Sequence, residues 1–142
     1  MAINQTVCTV FKTNVLKGVE NFNTGTPYVY KIALYNSTAT LNADTLAYST
    51  AGEITGAGYT AGGNVLSPTV PINENGIAYV SFANVTWFPA AFTTRGALIY
   101  NSTTGAAVAV LNFGEDKTAS PVIGFTITFP PATSTTAIIR IS

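Results

Sequence analysis

The sequence predicts a mainly β fold: a single-domain antiparallel β-sandwich of jelly-roll type with one short amino-terminal α-helix. Three observations carry that expectation. From about residue 28 to residue 141 the apolar residues recur with a period of two, the period of a strand. Glycine, proline and Asn-Gly signals separate these stretches at short intervals, as between the strands of a sandwich. Helical spacing occurs only near the start. The 142 residues suit one domain, spanning 1–142, that can bury a core without disulfide or metal staples.

Residues 5–17 form the predicted helix. Val7, Phe11, Val15 and Val19 recur at four-residue spacing, with Cys8, Val10 and Leu16 beside them. Gly18 stands where such a helix ends, and Lys17 lies near its carboxyl end, where the dipole favours a cation. Cys8, beside the apolar stripe, reads as a small buried residue. Residues 28–35, YVYKIALY, then alternate as a strand. Residues 45–66 hold five glycines and read as tight turns and bends. Residues 64–72, bounded by Pro68 and Pro71, read as an edge strand or a crossing segment, because proline lacks a backbone donor. Asn73-Glu74-Asn75-Gly76 is a turn.

Residues 77–87 read as a strand with Ala78, Val80 and Phe82 on one face. Residues 95–101 and 106–113 flank Ser102-Thr103-Thr104-Gly105 and predict a hairpin. Both arms are apolar on both faces, which places them centrally in a covered sheet. Gly114-Glu115-Asp116-Lys117 reads as a turn. Residues 122–129 alternate, with Ile123, Phe125, Ile127 and Phe129 on one face, until Pro130-Pro131 stops the strand. Residues 136–141 make the last strand.

Composition narrows the chemistry. Six basic and six acidic side chains give zero net charge, and charged residues are 8% of the chain, about a third of the usual share. There is no histidine, which excludes His-based acid–base catalysis, Ser-His-Asp and Cys-His arrangements, and the usual catalytic metal ligands. One cysteine excludes an intramolecular disulfide framework. The neutral balance offers no electrostatic footprint for nucleic acid. No stretch approaches the ~18 apolar residues of a membrane helix. The amino terminus has neither the basic opening nor the apolar run of a secretory signal. The polar remainder is mostly uncharged, with 23 threonines, 12 asparagines and 8 serines.

Candidate sites are few. The glycine-rich stretch 56–63 departs from the dinucleotide spacing and has no P-loop lysine, so it reads as a surface turn. Glu115 and Asp116 are the only adjacent acids, and neighbours in an extended chain point to opposite sides, so they make no catalytic pair. Trp87-Phe88, with Tyr79, Phe82 and Phe92 nearby, is the densest aromatic region. It reads first as core, then as a subunit contact or a stacking platform for sugars. Arg95 and Arg140 are the only arginines; each extends to solvent, pairs with one acid, or makes an interchain salt bridge. Phe11, Trp87, Phe88, Arg95 and Arg140 are therefore the candidate interface residues. No catalytic residue, cofactor or metal site is expected.

Four segments together carry a pattern. They are FKTNVLKGVENF, then YKIALYNSTATLNADTLAYSTAGEITGAGYTAGG, then TTRGALIYNSTTG, and finally AVLNFGEDKTAS. The residues concerned include Phe11, Lys12, Leu16 and Gly18; Lys31, Ala33, Leu34 and Tyr35; Tyr48, Glu53, Gly56, Gly58, Tyr59, Gly62 and Gly63. Arg95 to Asn101, Phe113, Gly114, Asp116 and Lys117 complete them. Over residues 8–129 the chain resembles a group of small tailed-bacteriophage virion structural proteins. The resemblance implies a virion component made in the bacterial host cytoplasm. Joined to the single compact domain, the absent catalytic residues and the near-zero charge, it leads to the expectation of a non-enzymatic capsid decoration or cement protein, with the major capsid protein or other virion proteins as partners and a homo-oligomer, a trimer as first choice. A tail-associated adaptor or fibre-attachment module and a carbohydrate-binding module using the Tyr79–Phe92 aromatics are the alternatives. An enzyme would need a carboxylate pair, which the scattered acids do not supply.

Overall fold

In a computed structural model, which describes residues 2–142, antiparallel sheets pack as a sandwich-like single domain that is mainly β with one short helix. The chain runs β1 (Thr6–Val7), α1 (Thr9–Lys17), β2 (Tyr30–Tyr35), β3 (Asn64–Val65), β4 (Ile72–Glu74), β5 (Ile77–Val80), β6 (Val85–Trp87), β7 (Phe92–Asn101), β8 (Ala107–Ala119), β9 (Phe125–Ile127) and β10 (Ile139–Ile141). One sheet has five strands in the order β1-β8-β7-β2-β3. A three-stranded sheet, β10-β5-β4, and a two-stranded sheet, β6-β9, make up the rest.

The five-stranded sheet is covered on both faces, and its alternation sorts the side chains between two clusters. Ile32, Leu34, Ala97 and Ile99 face a core shared with Val80, Trp87, Ile127 and Ile139 of the smaller sheets and with Phe82 between β5 and β6. Ala33, Tyr35, Leu98 and Tyr100 face the other way, against Ile3, Cys8, Ala39 and Leu41. Period two plus double burial is what places the β7–β8 hairpin at the centre. Its turn is held by Asn101, whose Oδ1 accepts the N–H of Thr103 at 3.0 Å while Gly105 N donates to Asn101 O at 2.7 Å.

The helix is shorter than the sequence predicts. Thr6 and Val7 pair with Val110 and Ala109, and Cys8 is still extended, so the helix opens only at Thr9. Its end is as expected: Gly18 is left-handed at φ 73°, and the N–H groups of Gly18 and Val19 cap the carbonyls of Val15 and Asn14. Phe11 is buried, but Leu16, which the sequence places beside the apolar stripe, is 89% exposed. Cys8 is fully buried, and burial pushes its thiol up to about 11.

Three further expectations are corrected. The stretch 77–87 is two strands in two sheets, because residues 81–83 bond instead to the segment carrying Pro68: Thr69 N donates to Ser81 O, and Ala83 N to Ser67 O. Ala78 is exposed, while Val80 and Phe82 are buried. Gly114-Glu115-Asp116-Lys117 does not reverse the chain. Thr94 pairs with Lys117 and Gly96 with Asn112, so residues 113–116 bulge opposite the single residue Arg95 and β8 continues to Ala119. Gly114 does take φ 81°, so the turn signal is met locally without a turn in the fold. Of the stretch 122–129, only Phe125–Ile127 is strand, and Ile123 is 81% exposed in a turn closed by Gly124 N on Ser120 O. The proline-bounded segment 64–72 crosses from the edge strand β3 to the edge strand β4, as expected. Asn75-Gly76, both at positive φ, close the β4–β5 hairpin.

Candidate functional site

The glycine-rich stretch is built around one carboxylate. Glu53 Oε1 accepts the hydroxyl of Tyr48 at 2.6 Å. Its Oε2 accepts the hydroxyl of Tyr59 at 2.6 Å and the N–H of Gly62 at 2.8 Å. Tyr59 in turn accepts the N–H of Leu34 at 3.0 Å, and Tyr100 donates to Gly62 O at 2.7 Å while stacking on Tyr48 at 4.7 Å. Burial, and donation to Glu53, push the Tyr59 hydroxyl well above its ordinary value. Close backbone approach explains the glycines: at φ 78° a Cβ on Gly63 would overlap the carbonyl oxygen of Ile32, and at φ 84° one on Gly58 would overlap that of Pro89. Tyr48, Glu53, Gly58, Tyr59, Gly62 and Gly63 thus form a structural clasp that fastens an irregular segment to β2 and β7.

A second carboxylate, Glu20, joins the end of α1 to the central sheet. Its Oε1 accepts Tyr30 Oη at 3.0 Å and Asn101 Nδ2 at 2.8 Å. Burial raises its pKa, and the interactions with Asn101, Tyr30 and Asn14 oppose the rise.

The candidate interface residues divide. Phe11 and Trp87 are 2% and 3% exposed and belong to the core; Trp87 packs on Phe92 and Phe125, with its indole N–H buried and unpartnered. Tyr79, Phe82 and Phe92 are buried as well, so Phe88, at 62% exposure, is the one ring of that aromatic stretch turned outward. Arg95 Nε pairs with Asp116 at 2.8 Å, and Lys117 with Glu115 at 2.9 Å, so the β8 bulge neutralises itself. Arg140 is exposed and donates from Nη1 to Thr135 O at 2.6 Å. The structure does not bring all five into one site, but Phe11 and Arg140 line one groove.

What sequence reading missed is a groove between α1 and β10. Val7, Phe11, Val15 and Leu16 form one side and Ile139 and Ile141 the other, around about 490 Å³. The signal was present in Leu16, a large apolar residue that the helix leaves outside. Elsewhere, threonines opposite one another in register pair their hydroxyls: Thr86 with Thr126 at 2.9 Å, and Thr93 with Thr118 at 3.0 Å. Among the described residues no group of three or more His, Cys, Asp or Glu side chains is placed to hold a metal, and no helix is long and apolar enough to cross a membrane. Compared with protein-family models, curated proteins and solved structures, the chain matches none.

Proposed function

We propose that this protein is a non-enzymatic structural component of a tailed-bacteriophage virion. In this reading it is a capsid decoration or cement protein that clamps neighbouring capsid subunits as a symmetric oligomer, a trimer. The observation that carries the reading is the makeup of the outward surface. It presents large apolar side chains, among them Leu16, Leu46, Phe88, Val122 and Ile123, and, elsewhere, threonine hydroxyls paired with one another. The two ion pairs found among the described residues both lie at the β8 bulge. The resemblance of residues 8–129 to phage virion proteins supports the same reading. A protein that binds only the assembled shell stabilises it by RT ln(1 + [L]/Kd). Contacts of apolar and neutral polar groups depend little on salt, because screening acts on charges.

Cryo-EM of purified virions tests the proposal by copy number. Hundreds of copies over the shell are expected, and they should stay attached at about 1 M salt. A handful of copies at the tail would replace the decoration reading by that of a tail adaptor. Absence from the virion overturns both.

A further inference from the structure

The groove beside α1 brings together an apolar lining, a strand edge and two cations that make no ion pair among the described residues. A hollow of about 220 Å³ continues it, sharing Phe11, Val15, Ile139 and Ile141. Ile139, Arg140 and Ile141 all line the groove, although neighbours in a strand point to opposite faces. The groove therefore runs along the edge of β10 rather than over one face. Among the described residues that edge is unpaired, because β10 bonds only to β5. Across the groove, the side chain of Val7 comes from β1, at the end of the five-stranded sheet.

Its charge is one-sided. Lys12 and Arg140 line the groove, both exposed, and neither makes an ion pair among the described residues. They are two of only six basic side chains in the chain. Glu20, in the adjoining hollow, already accepts hydrogen bonds from Tyr30 and Asn101.

We propose that this groove receives an extended, acid-bearing segment of a partner protein, added as a strand along β10. Main-chain hydrogen bonds to the free edge would hold the segment, and alternate apolar side chains would enter the channel between α1 and β10. Its carboxylate meets Lys12 and Arg140. The charge also argues against a second copy pairing β10 with β10: an antiparallel pair centred on Arg140 sets two guanidinium groups opposite each other, and like charges there destabilise a sheet.

The test is selection from a library of random peptides, about twelve residues long, on the immobilised full chain, an approach suited to strand addition. The best-enriched peptide is then titrated calorimetrically against the wild type and the double variant Lys12→Glu, Arg140→Glu. Both substitutions are at exposed positions, and thermal melting checks that the variant folds. The expected result is enrichment of sequences that alternate apolar residues and carry Asp or Glu. Binding to the double variant should be at least about tenfold weaker, and those amides of Ile139–Ile141 that point away from β5 should exchange more slowly in the complex. No enrichment, or equal binding to the double variant, overturns the proposal. So does a dimer that Leu16→Asp dissociates in the absence of any enriched peptide, which would give the groove to a second copy.

Discussion

Strands β7 and β10 draw on the same kinds of residue and meet opposite fates. In β7, Leu98 and Ile99 are fully buried, paired on both edges and covered on both faces. In β10, Ile139 is buried, but Ile141 is 52% exposed, and one edge of the strand is free. Composition does not separate them; neighbours do. A central strand has every backbone group satisfied within the fold, whereas an edge strand offers unpaired groups for another chain to meet. The central sheet and its Glu53 clasp should therefore set the stability of the molecule, and the seam between α1 and β10 should be nearly free to change.

The sharpest way to break that contrast is Gly63→Ala. A methyl group there meets the Ile32 carbonyl at a backbone φ of 78°. The expected loss is about 4 kcal/mol, read by denaturant unfolding, with a fall in Tm of roughly 10 °C or more. A near-neutral result would show that the clasp yields. Next comes Glu53→Ala, which strands the hydroxyls of Tyr48 and Tyr59 and the N–H of Gly62. It should cost about 2–4 kcal/mol, with Glu53→Gln retaining part of the loss because its carbonyl still accepts.

Glu20→Gln is a smaller, pH-dependent probe. The folded pKa of Glu20 is raised, so the fold favours its protonated form. That contribution is whole below the unfolded value of about 4.3 and is lost as pH rises through the folded value. The variant should melt higher than wild type at neutral pH, and the difference should vanish below about pH 4. A constant difference at every pH would mean that desolvation of the Glu20 charge is not the cause. The smallest effect is expected at the seam itself: Leu16→Asp, at a residue 89% exposed, should stay within about 0.5 kcal/mol of wild type. A cost equal to that of Glu53→Ala would erase the distinction between the two regions.

Much of the fold is legible locally. The β7–β8 hairpin can be read because its alternation and its turn lie within one short stretch. The Gly18 cap and the Asn75-Gly76 turn can be read because a left-handed backbone demands such residues. Reading fails where pairing partners are distant. The period-two run 77–87 looks like one strand, yet Ser67–Thr69 takes the bonds of residues 81–83 and splits it. Glu53 looks like one more scattered acid until Tyr48, Tyr59 and Gly62 converge on it. Trp87 and Phe88 are adjacent and aromatic, and only their position at the end of β6 sends one ring inward and the other out.

By itself the sequence determined the mainly β class, the lone helix, the central hairpin and the absence of histidine chemistry, because period, turn residues and composition act over a few neighbours. Tertiary structure alone decided that a turn signal at Gly114 becomes a bulge, and that Arg95 is neutralised by Asp116. It also decided that α1 and β10 leave an apolar, cation-lined groove beside the edge strand β10. Those outcomes depend on which distant strand arrives alongside, and a side chain's exposure is set by that arrival as much as by its own chemistry.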